Sequence, residues 1–396
     1  MPSDNVEWKQ ALFDYVSLIN EAALQTDARK LRDIPDKAHR ERLTGRINLS
    51  SHRDSKIAIK PVRSEMRARI ERFKTGRTDA VADVSIHLVR TLEQRKQPWV
   101  EERIEREKIR FVRHGGLWRL DTVKPIGAET PADAIVYEED DVRDAWDGDR
   151  KEPNPPPAPY MNPQALYGFK SKVYSGTSIA RDNGIFGPRG GIYNDEAYSG
   201  KPNGLSGYGS GNANGNGYGY GQGISRRGIP YFREEAVAYA ERWWNEPNPS
   251  YEKFEVNCTN YASQCIFAGG APMNYTGKRP SGWWYKGYSG NDENWSFSWA
   301  VANSLKHYLG NPRAYGLRAA QVSGPEALSL GDVICYDWDG SGRVGHNVVV
   351  TAFTPDGMPL VNANTVSSRH RYWDYKDSYA WTDNTRYYFY HIADEF

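Results

Sequence analysis

The sequence of 396 residues predicts an α+β protein with two folded regions. Residues 4–24 carry apolar side chains at helical spacing. Between residues 62 and 124, apolar and charged residues alternate as they do in strands with one buried face. After a connection at 129–229 that is rich in Pro, Gly, Asn and Tyr, helical spacing returns at residue 230, and strand-like runs follow from residue 330. Helices that precede an antiparallel sheet, here in both regions, indicate the α+β class.

The front region, residues 1–128, begins with an amphipathic helix. Its apolar stripe is formed by Trp8, Leu12, Val16 and Ile19. Such a stripe predicts a helix face that is buried against a sheet. Residues 35–60 are polar and follow neither the helical nor the strand period, so the pattern assigns them no element.

The strands of the front region fall in four runs, the last of which is LWRLDTV after the turn HGG at 114–116. In the third run Val100 and Ile104 share one parity, whereas Ile109 and Phe111 share the other, which predicts a β-bulge. A helix followed by a curved four-stranded meander that ends in GGLWRL resembles the cone-shaped fold of the nuclear-transport-factor-like superfamily. That fold hosts enzymes, binding pockets and dimer interfaces, so the resemblance implies no particular function.

The charge and the apolar runs of the sequence limit the classes of partner that we expect. The formal net charge is +1, which gives no overall attraction to nucleic acid or to membranes. The front region is net basic, which is typical either of ordinary solvated faces or of an anionic partner such as a cell-wall polymer. The chain begins without a secretory signal pattern, and no apolar run approaches the roughly 20 residues of a membrane span. We expect a soluble protein that is cytoplasmic unless released by another route, with no nucleic-acid or membrane partner; its oligomeric state stays open.

The segment NCTNYASQCIFAGG, residues 257–270, contains a candidate nucleophile. Cys258 stands at the start of a predicted helix that Gly269 and Gly270 end. Unpaired N–H groups and the helix dipole at that position favour a thiolate, the form in which cysteine acts as a nucleophile. The alternative is a buried structural thiol, which is the interpretation we favour for Cys265 and Cys335. Three cysteines form no disulfide framework.

A base for this thiol is predicted in GHNVVVT, where His346 begins a β-branched strand. The preceding DWDGSG resembles the start of a calcium loop but lacks the glutamate at its twelfth position, so we interpret it as a hairpin loop that presents His346. The next run, VNANT, places Asn362 and Asn364 on one face of a strand. Either amide could orient the histidine ring, and the spacing does not separate them. Cysteine on a helix, then histidine and an amide on successive strands, is the order of a papain-like hydrolase.

The C-terminal region also resembles a bacterial family, the Putative amidase domain. The resemblance covers about residues 230–396 and rests on YFREEAVAYAERWW, NCTNYASQCIFAGGAPM, SFSWAVANSLKHYL, LGDVICYDWDG and GHNVVVT, in that order. The family is a papain-like relative of the cysteine- and histidine-dependent amidohydrolases, or CHAP domains. It implies a nucleophile at Cys258, a base at His346 and a polar residue near the end of the following strand, which favours Asn364 over Asn362. Two positions where such domains often have aspartate hold Asn257 and Gly345 here.

These observations together predict a cysteine-dependent amide hydrolase that uses Cys258, His346 and Asn364 or Asn362, with no cofactor and no metal. The expected partner is a peptide or amide substrate, and the resemblance implies peptidoglycan peptides. Two alternatives stay open, an amidase-fold binding module without turnover and an acyltransferase that uses the same thiol. An aromatic loop at 280–295 is expected either to wall the substrate cleft or to belong to the core.

Overall fold

The strands join into one antiparallel sheet in the computed structural model, which describes residues 4–127, 228–287 and 294–396. The predicted connection at 129–229 lies outside the described residues, apart from residues 228 and 229. The α+β class is confirmed. Among the described residues, no helix combines the length and the apolar composition that crossing a membrane requires.

The helices follow the chain in this order: α1 (Asp4–Gln25), α2 (Lys37–Lys56), α3 (Arg233–Trp243), α4 (Cys258–Ala268), α5 (Phe297–Ala300) and α6 (Ala302–Gly310). Two short 3-10 helices cover Ala28–Asp33 and Pro325–Ala327. The strands of the front region are β1 (Lys60–Thr75), β2 (Asp79–Gln94), β3 (Gln97–His114) and β4 (Leu117–Pro125). The remaining strands are β5 (Ala319–Val322), β6 (Val333–Asp337), β7 (His346–Phe353), β8 (Pro359–Ala363), β9 (Ser367–Tyr372) and β10 (Arg386–Ile392).

The front region packs α1 against its strands as predicted. All four residues of the apolar stripe are buried in a core with Phe111 and Val123. The unassigned stretch 35–60 contains α2, which sequence periodicity missed. The buried side of α2 carries polar residues such as His39, Arg53 and Asp54, so an apolar stripe could not reveal it.

The predicted bulge in the third run is wrong. β2 and β3 pair without interruption from Gln94 opposite Gln97 to Asp79 opposite Val112. The buried residues of β3 are all odd-numbered, so the same face is buried along the whole strand. At its beginning this face carries the charged residues Glu101 and Arg103 instead of apolar ones. The change of phase in the apolar pattern therefore marks buried charges and not an extra residue.

The two regions share the sheet. Its strand order is β1-β2-β3-β9-β8-β7-β6-β10-β5, with β4 paired to β3 at one end. Glu102 to Ile104 of β3 pair with Ser367 to Arg369 of β9, which joins the front strands to the C-terminal ones. The described residues belong to one compact unit. The predicted domain boundaries and the nuclear-transport-factor-like relationship stay predictions.

Candidate active site

Cys258 is the first residue of α4, and α4 ends at Ala268, before the two predicted glycines. Gly269 is required because a side chain there would meet the ring of Tyr231 at 2.3 Å, and Gly270 has a φ of 95°. The Cys258 side chain is only 1% exposed. The fold therefore fixes the thiol at a helix N-terminus in a buried position.

Thr365 caps this helix from the turn after β8. Its hydroxyl oxygen accepts the backbone N–H groups of Cys258, at 2.9 Å, and of Asn257, at 3.2 Å. Asn257 itself makes no side-chain cap. The N–H of Cys258 is thus bound to Thr365 in this structure. An oxyanion at that N–H would have to replace the threonine hydroxyl.

His346 is the first residue of β7 and lies opposite Tyr336 of β6. The hairpin between these strands is the loop predicted from DWDGSG, and the carboxylate of Asp337 closes it by accepting N–H groups at 2.9 and 2.8 Å from Gly340 and Gly342. The imidazole is 1% exposed. Its ring centroid lies 5.4 to 5.9 Å from the rings of Tyr375, Tyr336 and Trp338.

Gly345, one of the two departures from the family pattern, has a steric reason. A Cβ at this position would come within 3.1 Å of the Trp338 indole. That indole stacks on His346 with an interplanar angle of 25°. A side chain at position 345 would therefore crowd the ring that packs on the histidine.

The structure brings the Cys258 thiol and the His346 imidazole together. Burial raises the pKa of the thiol, but the charge of His346 and a hydrogen bond from its ring act in the other direction. The backbone N–H of Asn347 and the hydroxyl of Thr365 also stabilise the thiolate. The net result is a pKa of Cys258 below its usual value. Such a pair can transfer a proton from sulfur to imidazole and expose a nucleophile.

Asn362 lies on the other face of the sheet from His346. It pairs directly with Val349 of β7, which is an odd number of residues from His346, so Asn362 does not share the face of His346, as an amide that orients the ring would have to. The Asn362 amide donates to Glu241 Oε1 at 2.8 Å and accepts the backbone N–H of His370 at 2.8 Å. These contacts tie α3 to β8 and β9.

Asn364 instead connects α3 to the residue before the cysteine. Its Nδ2 donates to the carbonyl oxygens of Trp243, at 2.8 Å, and Trp244, at 3.0 Å, where α3 ends. Its Oδ1 accepts a 2.9 Å hydrogen bond from Asn257 Nδ2. Because two carbonyl groups fix the orientation of the Asn364 amide, its partner at position 257 must donate, which an aspartate cannot do. This explains the second departure from the family pattern.

Residues 230–390 match the family model described as Putative amidase domain. The C-terminal region is similar to an amidase domain. Both Cys258 and His346 lie within the matched range.

A curated relative, "Uncharacterized protein YhbB" of Bacillus subtilis (strain 168), is 52% identical over 169 residues. The match covers 43% of this chain and 52% of the relative, so the chain spans about half the length of that protein. Among solved structures, the intermembrane space region of chloroplast protein ARC6 aligns with a TM-score of 0.24 and 9% identity. That alignment covers 32% of this chain and 97% of the ARC6 region.

The other two cysteines of the C-terminal region are core residues. Cys265 packs with Tyr261 and Val349 between α4 and β7, and burial raises the pKa of its thiol. Burial also raises the pKa of Cys335, inside β6. Of the three thiols only Cys258 has a lowered pKa. Within residues 4–127, 228–287 and 294–396, no group of three His, Cys, Asp or Glu side chains is placed to hold a metal ion.

The described aromatic residues at 283–285 of the predicted aromatic loop belong to the core. Trp283, Trp284 and Tyr285 are all buried, and the Trp283 ring lies 4.8 Å from that of Trp299. Trp283 Nε1 donates to Ser263 on α4 at 3.0 Å. These rings pack against α4. Of the two interpretations, a wall of the substrate cleft or a part of the core, the second describes these three residues.

Sequence reasoning missed three residues around the site, namely Thr365, Trp338 and Tyr375. Thr365 directly follows the asparagine pair in VNANT, and a hydroxyl near a predicted helix start is a candidate cap, although its partner helix lies far away in sequence. Trp338 and Tyr375 reach His346 only through the arrangement of the strands, which a local pattern does not encode.

Proposed function

We propose that the C-terminal region hydrolyses an amide bond by cysteine-histidine chemistry. The observation that carries this proposal is the contact between the His346 imidazole and the buried Cys258 thiol, whose pKa is lowered. The match to the Putative amidase domain supports an amide as the bond that is cleaved.

In the proposed reaction His346 takes the proton of Cys258, and the thiolate attacks the carbonyl carbon of the amide. The imidazolium then gives its proton to the leaving amine, which leaves a thioester on Cys258. Water, deprotonated by His346, attacks the thioester, and the carboxylate product and the free thiol are released. The reaction needs only this chain, the amide and water.

Peptidoglycan peptides are the substrate class that we propose, on the basis of the resemblance to the CHAP-related amidases. The test is incubation of the full-length protein with soluble cell-wall peptides, followed by mass spectrometry of newly formed amines and carboxylates. We expect cleavage by the unaltered protein and by Cys335→Ala, and none by Cys258→Ala.

The same assay separates the alternatives. Turnover that persists in Cys258→Ala excludes this thiol as the nucleophile. Binding of the peptides without cleavage by any variant indicates an amidase-fold binding module, which the burial of the thiol would favour. New amide products that form only when an amine is added indicate acyl transfer.

A further inference from the structure

A loop between β9 and β10 places a strained aromatic residue against the candidate base. Tyr375 is fully buried, and its ring centroid lies 5.4 Å from that of His346 and 4.9 Å from that of Tyr336. Its φ is 53°, in the left-handed region that bulky residues rarely occupy. A residue keeps such a conformation only where its surroundings enforce it, and such residues cluster at functional sites.

Side chains of β9 hold the Tyr375 ring directly. Its hydroxyl lies 3.0 Å from Ser368 Oγ. The guanidinium carbon of Arg371 lies 3.7 Å from the centre of the ring. These contacts fix where the ring lies. Arg371 also donates to Asp377 Oδ1 at 3.1 Å, and the front region supplies further contacts to the loop that carries the ring.

Residues 374–379, which we call the anchor loop, are held by arginines of the front region. Asp374 Oδ1, just before the tyrosine, accepts from Arg53 Nη1 of α2 at 2.9 Å. Asp377 Oδ2, just after it, lies 2.5 Å from Arg103 Nη2 of β3. Both pairs are buried, with side-chain exposures of 2 to 6%. Charge-assisted hydrogen bonds at such depth are strong and directional.

A third arginine completes the attachment. Arg46 Nε of α2 donates to the carbonyl oxygen of Asp377 at 2.6 Å, while its other nitrogens bind Glu105. Its guanidinium carbon lies 4.1 Å from the centre of the Tyr379 ring. The front region therefore holds the anchor loop through one backbone and two side-chain contacts on both sides of Tyr375.

We propose that the front region is a positioning element for the active site, in which Arg46, Arg53 and Arg103 hold the anchor loop so that Tyr375 fixes the His346 ring. Tyr375 is thus a positioning residue and not a catalytic one. This inference rests on the proposed Cys258–His346 chemistry. It gives the front region a role in turnover that neither the fold nor the family match assigns.

The first test compares Tyr375→Leu with Tyr375→Phe in the full-length protein. The readouts are kcat and KM for peptide cleavage, and the pH dependence of Cys258 labelling by iodoacetamide. We expect Tyr375→Leu to lower kcat at least about tenfold with little change in KM, and to move the labelling midpoint up by about one pH unit. Tyr375→Phe keeps the ring and should stay within about threefold of the unaltered protein.

The second test removes an anchor in the front region. Arg53→Gln should change kcat and the labelling midpoint in the same direction as Tyr375→Leu, by a smaller amount. The matched control is Arg29→Gln, which breaks an exposed pair with Asp27 and should change neither. Circular dichroism establishes that each variant is folded. Should Arg53→Gln fail to fold, Arg46→Lys replaces it, because lysine keeps the charge near Glu105 but cannot donate to both partners of the guanidinium.

Each outcome bears on one claim. A folded Tyr375→Leu with unaltered kcat and labelling overturns the role of the ring. A folded Arg53→Gln or Arg46→Lys that behaves like the control overturns the link to the front region. If the unaltered protein neither cleaves peptides nor labels at Cys258 below the pH at which an ordinary thiol ionises, the proposed function fails instead.

Discussion

Two buried groups of titratable side chains, one in each region, can be compared directly. In the front region the Tyr15 hydroxyl lies 2.8 Å from His39 Nε2 and donates to Glu107 Oε2 at 2.9 Å. Burial raises the pKa of Glu107 to about 7 and lowers that of His39 to about 4. Both groups are thereby driven toward their neutral forms. In the C-terminal region, burial also disfavours the Cys258 thiolate, yet the pKa of that thiol is lowered.

The neighbouring charges explain the difference. Next to Glu107 lies the carboxylate of Glu105, and next to His39 lies the guanidinium of Arg42, so in each case a like charge adds to the effect of burial. Next to the Cys258 thiol lies a base that becomes positive as the thiol becomes negative. Burial alone therefore does not set the direction of a pKa shift, because neighbouring charges can add to its effect, as at Glu107 and His39, or outweigh it, as at Cys258.

Substitution of one residue in each buried group should show by the rate of peptide cleavage which group is reactive and which is structural. We expect His346→Gln to lower the rate of peptide cleavage at least about a hundredfold, because the thiol loses its base and the leaving amine its acid. Glu107→Gln, the matched change in the front region, should leave that rate close to that of the unaltered protein. Steady-state kinetics on both variants tests this, and equal losses would contradict the distinction.

The ionic contacts between the regions should matter for stability. Arg103 is 2% exposed and contacts both Glu101 and Asp377, so Arg103→Met leaves two buried carboxylates with one cation fewer. We expect a loss of about 3–5 kcal/mol in the free energy of unfolding, in a single transition because the two regions share one sheet. Urea denaturation measures this. Arg69→Met, at an exposed pair with Glu71, is the control and should leave the transition where it is.

Substitution of Glu107 should change how stability depends on pH. A carboxyl group with a raised pKa binds a proton in the folded state that the unfolded chain has already released. The contribution of Glu107 to the free energy of unfolding is therefore full below about pH 4.5 and is lost as the pH rises to about 7. The stability of the unaltered protein relative to Glu107→Gln should fall across this window by roughly 1.4 kcal/mol per pH unit. Urea denaturation at several pH values measures the difference, and a constant difference would show that Glu107 is not perturbed.

The two asparagines should differ in their effects. Asn364→Ala leaves the carbonyl groups at the end of α3 and the Asn257 amide without their partner, so we expect a loss of about 1–3 kcal/mol and slower labelling of Cys258. Asn362→Ala should destabilise the protein by a similar amount but leave labelling unchanged, since Asn362 contacts Glu241 and His370 instead. Slower labelling in Asn362→Ala alone would reverse this assignment.

Sequence patterns predicted those parts of the fold that follow an apolar period. The stripe of α1, the start of α4 at Cys258 and the hairpin before His346 were all predicted, because local spacing and turn residues determine them. The family resemblance added the pairing of the cysteine with the histidine. Helix α2 and the phase of β3 were not predicted, because their buried faces carry charged side chains, of which Arg53 and Arg103 pair with aspartates of the C-terminal region.

The positions of the asparagines could not be predicted either. Which face Asn362 occupies depends on the register between β7 and β8, and a shift of one residue in that register would reverse it. The roles of Thr365 and Tyr375 depend on strands and loops distant in sequence. A single sequence contains the residues of such contacts but not their pairing.

The central claim is that His346 lowers the pKa of the Cys258 thiol. The most direct test is the rate of Cys258 labelling by iodoacetamide as a function of pH, followed by peptide mapping. We predict that Cys258 labels faster than Cys265 and Cys335 and reacts at a lower pH than an ordinary thiol does. In His346→Gln the midpoint should move up toward that of an ordinary thiol. Faster labelling of another cysteine, or the same midpoint with and without His346, would contradict the account.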